Sequence, residues 1–205
     1  EEGRVSSILE EGLARYVSFG QLQALRSMRI GMAGLGGIGS NVALMLARTG
    51  ATGLVLVDHD SVEKSNLNRQ CYFPEDVGKA KTEALTERLR SLDENVRPLA
   101  VKERITRDNV RSILALADIW VEALDGAEDK AMLVEACLSA RLPCIACSGM
   151  GGFGGPPLRV RKLGLLTVVG DFASDVDVHP PLAPRVTACA ALMADEVLSR
   201  IWQGH

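Results

Sequence analysis

The chain has 205 residues, enough for one domain with a sizeable core. Its 47% hydrophobic and 24% charged residues fit a soluble globular protein, and a net charge of −3 gives no reason to expect nucleic acid or a basic membrane-binding surface. An odd count of five cysteines without framework spacing points to reduced thiols in the cytoplasm, and no apolar run reaches the roughly 18 residues of a membrane span.

The N-terminal stretch is acidic and amphipathic, unlike a signal peptide. Residues 6–17 put Ile8, Leu9, Leu13, Tyr16 and Val17 near helical spacing, and Ser18 to Ser27 is a second short helix candidate. Together they form a helical extension (1–27) ahead of the core. The first strand is expected over 28–33 and a helix over 38–48, with Val42, Leu44, Met45 and Leu46 on the sheet and Gly50 ending it. A second strand covers 53–57. The connection 58–76 is long for a compact domain, and such loops are usually functional. A helix over 77–91 follows, carrying Ala80, Ala84, Leu85 and Leu89 on one face and Lys81 near its start. Next come a strand at 96–101, a helix over 107–116 capped by Thr106, a strand at 118–123, a helix over 127–141 with Met132, Leu133, Ala136, Cys137 and Leu138, and a strand at 143–148. This alternation implies a Rossmann-like, doubly wound, mostly parallel sheet with right-handed crossovers over 28–148. The remainder, 149–205, reads as a glycine-rich segment, an antiparallel hairpin (158–162 and 165–169), a polar loop over 170–184 and a closing helix over 185–202. The whole is expected to be one domain.

Chemistry gathers in residues 28–70. Gly34, Gly36 and Gly39 satisfy G-x-G-x-x-G between a strand and a helix. The first glycine permits the tight turn, the second lets backbone N–H groups approach phosphate, and the third lets helix and strand pack closely. The unpaired N–H groups and the dipole of the helix start favour an anion. Asp58 falls about 20 residues on, where a ribose-binding carboxylate belongs. The motif alone favours NAD or a related dinucleotide. However, Asp58, Asp60 and Asp125 fall at or just after strand ends, and Arg69 and Lys81 can face the same crevice. Carboxylates, two cations and a helix N-terminus suit a polyphosphate with Mg²⁺ better than a nicotinamide, and Asp125 is the best carboxylate for the metal. Neither His59, His179 nor His205 stands in a persuasive acid–base context. The bland alternatives are an Arg69–Asp60 pair and a solvated Lys81. Cys144-x-x-Cys147 lies within a strand, where alternation sends positions three apart to opposite faces.

Asp58-x-Asp60, then Ser65-Asn66-Leu67-Asn68-Arg69-Gln70, then Val77-Gly78-Lys79-Ala80-Lys81 resembles the ThiF/MoeB/HesA adenylyltransferases, relatives of the ubiquitin-activating enzymes. The similarity runs from about Leu13 to the final helix. The compact length and Pro181-Leu182-Ala183-Pro184-Arg185 look most like the short thiamine-biosynthesis ThiF proteins, often called family 2. The resemblance implies a nucleotidyltransferase that uses ATP and Mg²⁺ to adenylylate the C-terminal glycine carboxylate of a ThiS-like, ubiquitin-fold sulfur carrier ending in Gly-Gly, as a homodimer. It implies that Gly37 lies beside the phosphates, Asp58 holds the ribose, Asn66 and Arg69 meet the phosphates, Lys81 contacts them from its helix, and Asp125 positions Mg²⁺. Ser65, Asn68 and Gln70 join the nucleotide site as the rest of the motif. A peptide carboxylate, with a pKa of roughly 3.5, is already ionised at neutral pH, so no general base is needed. Gly149–Gly155 and the 170–184 loop are expected to form a narrow slot for the carrier tail. The rival readings are an NAD-dependent oxidoreductase and a non-catalytic module that binds a ubiquitin-like tail.

Four departures from the family pattern qualify this. Arg15-Tyr16-Val17-Ser18 has serine where many relatives have a second arginine that reaches the partner subunit. A single Cys-x-x-Cys predicts no zinc. The 170–184 loop has no cysteine for covalent sulfur transfer. Gly126 follows Asp125 where many relatives have asparagine.

Overall fold

The computed structural model describes residues 7–175 and 178–204; Ser6 and His205, named above, lie outside the described residues. Seven strands form one sheet: β1 (Ile30–Ala33), β2 (Leu54–Val57), β3 (Leu99–Val101), β4 (Ile119–Glu122), β5 (Cys144–Cys147), β6 (Arg159–Leu163) and β7 (Leu166–Gly170). Their order is β3-β2-β1-β4-β5-β7-β6, with every neighbouring pair parallel except β6 with β7. The doubly wound reading therefore holds, and the hairpin joins the sheet through β7 against β5. Strand order reverses at β1, which lies between β2 and β4. The crevice beyond the carboxyl ends of β1 and β4 is where such sheets bind ligands.

Among the described residues seven α-helices cover the sheet: α1 (Ile8–Leu13), α2 (Phe19–Ser27), α3 (Gly37–Arg48), α4 (Lys81–Leu92), α5 (Val110–Leu114), α6 (Ala127–Ser139) and α7 (Ala183–Gln203). Two clusters of buried side chains divide them. Ile30, Met32, Leu54, Leu56, Ile119, Val121 and Ile145 meet α2, α3, α4 and α7 on one face. Ala33, Val55, Val57, Trp120 and Cys144 meet α5 and α6 on the other. The split follows the two-residue period of the strands. It also separates Cys144 from Cys147, which sits in the first cluster, as alternation requires. Of the predicted core face of α6, Met132, Leu133 and Cys137 are buried, but Leu138 is exposed.

Gly31 solves a packing problem that the sequence does not announce. Trp120 is its cross-strand partner and is fully buried, and a Cβ on Gly31 would lie 2.5 Å from the indole Cε3. Only a glycine leaves the ring its place, while the indole N–H donates to the Leu114 carbonyl at 3.2 Å.

Several boundaries differ from the sequence reading. The helix expected from residue 77 starts at Lys81, because Gly78 has φ +93° and Ser61 pairs with Ala80 as an isolated antiparallel bridge. The helix expected over 107–116 is confined to α5; Asn109, not Thr106, stands at its start, and its side chain is turned back to accept the Thr106 N–H at 2.8 Å. The 58–76 connection is ordered by two 3-10 turns, Lys64–Asn66 and Pro74–Asp76. Ser18, in place of the expected arginine, caps α2 in a reciprocal box with Gln21, an arrangement worth about 1 kcal/mol. Among the described residues no helix is long and apolar enough to cross a membrane.

Candidate active site

The glycine turn is locked by close backbone contacts. Gly34 has φ +91°, and a Cβ there would lie 2.4 Å from the Ala123 carbonyl oxygen. A Cβ on Gly39 would lie 1.9 Å from the Gly34 carbonyl oxygen, so helix α3 begins against the turn itself. Gly37 is also crowded, but by Val186 of α7 at 2.7 Å. Gly36, the N-cap of α3, is different: its Cβ position meets only the Gln70 Nε2 at 3.7 Å, and no side chain caps the helix. The open glycine of the motif is thus the one expected to admit a phosphate.

Beside it lies a cleft of about 360 Å³ lined by Gly34, Gly36, Asp58, Asp60, Lys81 and Asp125, with Arg104 at its wall. Asp58 is buried at the end of β2. Its Oδ2 accepts the Leu35 N–H at 2.7 Å and its Oδ1 accepts the Asp60 N–H at 2.8 Å. Lys81 is buried as well, not solvated. Its Nζ lies 2.9 Å from Asp60 Oδ2 and 4.0 Å from Asp58 Oδ2, and its own N–H donates to the Asp60 carbonyl at 3.0 Å. Partial burial works against the Asp60 charge, but the Lys81 ammonium outweighs it and holds that carboxyl below the usual range, with lesser help from His59 and Arg104. Asp60 therefore pairs with Lys81 and not with Arg69.

Two residues that sequence reasoning did not single out tie this site together. Tyr72 is buried, and its hydroxyl meets the Leu35 carbonyl at 2.9 Å inside the glycine turn. Asn41 Nδ2 lies within hydrogen-bond distance of both the Gly37 carbonyl (2.6 Å) and the Arg69 carbonyl (2.9 Å), joining α3 to the polar loop. Tyr72 stands two residues after the motif, and Asn41 stands in the first turns of α3; those positions were the only available signals.

Asp125 follows β4 at the mouth of the cleft. Among the described residues its carboxylate has no hydrogen bond or ion pair, whereas neighbouring Asp129 is 3.2 Å from Arg104. Asp58, His59 and Asp60 can also bring one ligand atom each within 4.8 Å of one another. Two of those three are already engaged, by backbone amides and by Lys81. Mg²⁺ is commonly held by one or two carboxylates together with phosphate oxygens, and an uncommitted carboxylate at the mouth of the cleft fits that chemistry.

The polar motif is only partly brought to the cleft. Gln70 is buried against Gly36, and its Oε1 has no hydrogen-bond partner. The Arg69 stem packs beside Gly37, but its Nη1 folds back on the Ser65 carbonyl (3.2 Å) and Asn68 Oδ1 (2.8 Å). Asn66 spends its Oδ1 on the Glu63 N–H, Ser65 Oγ donates to Glu63, and Asn68 Nδ2 donates to the Pro181 carbonyl at 3.1 Å. In this conformation Ser65 and Asn66 shape their own loop, and Asn68 ties it to the segment before α7.

Around Gly151 and Gly152 the expected slot is filled by the chain's own described residues. A Cβ on Gly151 would lie 2.4 Å from the His179 carbonyl oxygen, and the Gly152 N–H donates to the Pro180 carbonyl at 3.1 Å. The glycines make room for the chain's own loop. Behind them, buried Asp171 pairs with Arg185 at 2.6 Å, and the same guanidinium reaches the Pro156 carbonyl at 3.0 Å. Burial opposes the Asp171 charge, but the Ser174 and Ala173 amides, the Ser174 hydroxyl and Arg185 together hold its pKa at about 2. Because the folded value is depressed, the stabilisation is complete above about pH 4 and is lost as pH falls toward 2. Asp171→Asn is expected to cost about 2–3 kcal/mol at pH 7, the depression of the Asp171 pKa taken at about 1.4 kcal/mol per unit. Thermal melts from pH 7 to 2 should converge for the two proteins at the acid end; parallel melting curves would contradict the assignment.

Comparison with known proteins supplies the context. A model of the ThiF family matches residues 10–204. The tRNA threonylcarbamoyladenosine dehydratase of Escherichia coli K12 is 36% identical over 143 residues, covering 69% of this chain and 53% of its own. The sulfur carrier protein ThiS adenylyltransferase of the same strain is 34% identical over 134 residues, covering 65% of this chain and 53% of its own. The chain thus spans about half the length of these curated relatives. A crystal structure of the E. coli dehydratase in complex with ATP superposes with a TM-score of 0.86 at 27% identity, over 98% of each chain.

Proposed function

The chain belongs to the ThiF family, and from that premise we propose that it uses ATP to adenylylate a carboxylate brought to the cleft beside Gly36. The observation that carries the reading is the pairing of an open glycine turn at a helix N-terminus with buried Lys81 and uncommitted Asp125. In the reaction a carboxylate oxygen attacks the α-phosphorus, the carboxyl–phosphate bond forms, and the bond to the β-phosphate oxygen breaks, releasing pyrophosphate. The α3 amides and Lys81 offset the repulsion between the two anions, and Arg69 swings from its own loop to the phosphates. Asp58 accepts from the ribose hydroxyls with the lone pairs its amide partners leave free. Asp125 would hold Mg²⁺, which when bound would neutralise phosphate charge. A relative whose crystals contain ATP favours this over NAD chemistry.

The substrate we infer is the C-terminal glycine of a ThiS-like, ubiquitin-fold sulfur carrier, by kinship with the ThiS adenylyltransferase. We further infer a homodimer joined through the N-terminal helices and the turn between them, where Ile8 of α1, Tyr16 of the turn and Phe19 of α2 are exposed. A second reading, a tRNA-borne carboxylate, is favoured by the likeness to the threonylcarbamoyladenosine dehydratase. ATP–pyrophosphate exchange separates them. Exchange that requires a carrier ending in Gly-Gly supports the first, and exchange that requires threonylcarbamoyladenosine-bearing tRNA supports the second. ATP bound tightly but never exchanged with any carboxylate would leave a binding module.

A further inference from the structure

We propose that Lys130 is a positioning residue that fixes the peptide carrying Asp125 by bracing it against buried Glu122, so that Lys130 governs how strongly Mg²⁺ supports ATP binding. The proposal rests on the reading of Asp125 as the metal-facing carboxylate.

Glu122 ends β4 with its side chain 1% exposed. A carboxylate so placed is costly unless it is paired and hydrogen-bonded. Lys130 supplies the pair from α6, with its Nζ 3.0 Å from Oε1 and 2.9 Å from Oε2. Burial pushes the Glu122 pKa up, and the Lys130 ammonium and the Leu124 amide pull it back only in part. On Lys130 burial works against the charge, but Glu122 prevails and keeps its pKa above the usual lysine value.

The ion pair grips one residue, Leu124, through the peptide units on both of its sides. Glu122 Oε1 accepts the Leu124 N–H at 2.8 Å, and Lys130 Nζ donates to the Leu124 carbonyl at 2.9 Å. That carbonyl belongs to the peptide plane that leads into Asp125. Cys147 Sγ lies 3.5 Å from the same Nζ, so the ammonium has a neighbour for each of its protons. Among the described residues the Asp125 side chain has no hydrogen-bond or ion-pair partner, so the backbone that carries it is what the structure holds in place. The position of the ammonium is telling in another respect. A cation folded over the start of α6 opposes the helix dipole, so helix stability does not account for it. Holding the Leu124 peptide does.

The test is calorimetric titration of ATP into the intact protein, with Mg²⁺ and with EDTA. The wild type is expected to bind ATP more tightly with the metal. Lys130→Met should lose about tenfold of that gain while metal-free ATP affinity stays within about twofold, because the glycine turn and Asp58 are untouched. Asp125→Asn is the reference for complete loss. Since Lys130→Met leaves Glu122 buried and unpaired, the double variant Lys130→Met/Glu122→Leu is measured beside it, an apolar replacement that such pairs commonly tolerate. It should lose the magnesium gain equally. The brace is overturned if either folded variant keeps the wild-type gain, if metal-free affinity falls in step, or if the wild type shows no gain. Because only ATP binding is read, failure of carboxylate adenylylation, seen as absent exchange, remains a separate result.

Discussion

Lys81→Met lowers ATP–pyrophosphate exchange by about 10²–10³-fold, the usual cost of removing one preorganised charge donor from a site where anionic charge must be held. The expectation follows from what Lys81 faces. Its Nζ is the cation set between Asp58 and Asp60 on a buried side chain, 6% exposed. Methionine keeps the stem and removes the charge. Two carboxylates then confront the triphosphate without a counter-charge, and the incoming carboxylate adds a third. Folding should suffer less, because Asp58 keeps both amide donors and Asp60 is half-exposed and can be hydrated. The measurement is exchange rate against ATP concentration, with circular dichroism as the control for fold. A rate within threefold of wild type in a folded variant would remove Lys81 from the chemistry.

Gly39→Ala destabilises the protein by at least about 3 kcal/mol and abolishes measurable ATP binding, the severe end of overpacking. The added methyl would lie 1.9 Å from the Gly34 carbonyl oxygen, which is backbone. Gly34 has little room to retreat, since its φ is +91° and the Ala123 backbone packs so closely that a Cβ on Gly34 would lie 2.4 Å from the Ala123 carbonyl oxygen. Relief therefore requires β1 and β4 to part or α3 to tilt, and either opens the glycine turn. Gly36→Ala is the matched contrast. Its methyl meets only the Gln70 amide at 3.7 Å, so stability should hold within about 1 kcal/mol while ATP binding weakens by the bulk set against the phosphate. Urea unfolding and calorimetry on both variants decide the matter; equal unfolding midpoints would refute the assignment of separate roles.

The parts of this structure that were legible in the sequence are those written in local periods. Alternating apolar strands and helices, a glycine turn between them and an acid after β2 gave the doubly wound sheet and the cleft. The hairpin was legible because Leu163-Gly164 separates two β-rich runs. What escaped depends on partners distant in the chain. The helix predicted from residue 77 starts at Lys81 because Ala80 pairs with Ser61. Asn41 reaches Arg69, and Tyr72 reaches Leu35, along no periodic pattern. Gly31 is a glycine because Trp120 lies across from it. Gly151 read as room for a visiting tail, and its space belongs to His179. Composition records that a glycine is needed but not which neighbour needs it.

The sheet's outermost strand bears on how copies of the chain meet at high concentration. β6 leaves one side of its backbone unpaired, and it carries Arg159, Arg161 and Lys162, all exposed, the last paired with Glu196 at 2.9 Å, in a chain whose net charge is −3. Two such edges approaching each other bring cations together before any backbone hydrogen bond can form, so the protein discourages its own stacking into ribbons. The barrier is electrostatic, and it weakens as salt shortens the reach of those charges to a few ångströms. Concentrated stocks therefore keep best at low ionic strength, and it is the rim farthest from the nucleotide cleft's β2–β3 wall that governs colloidal behaviour.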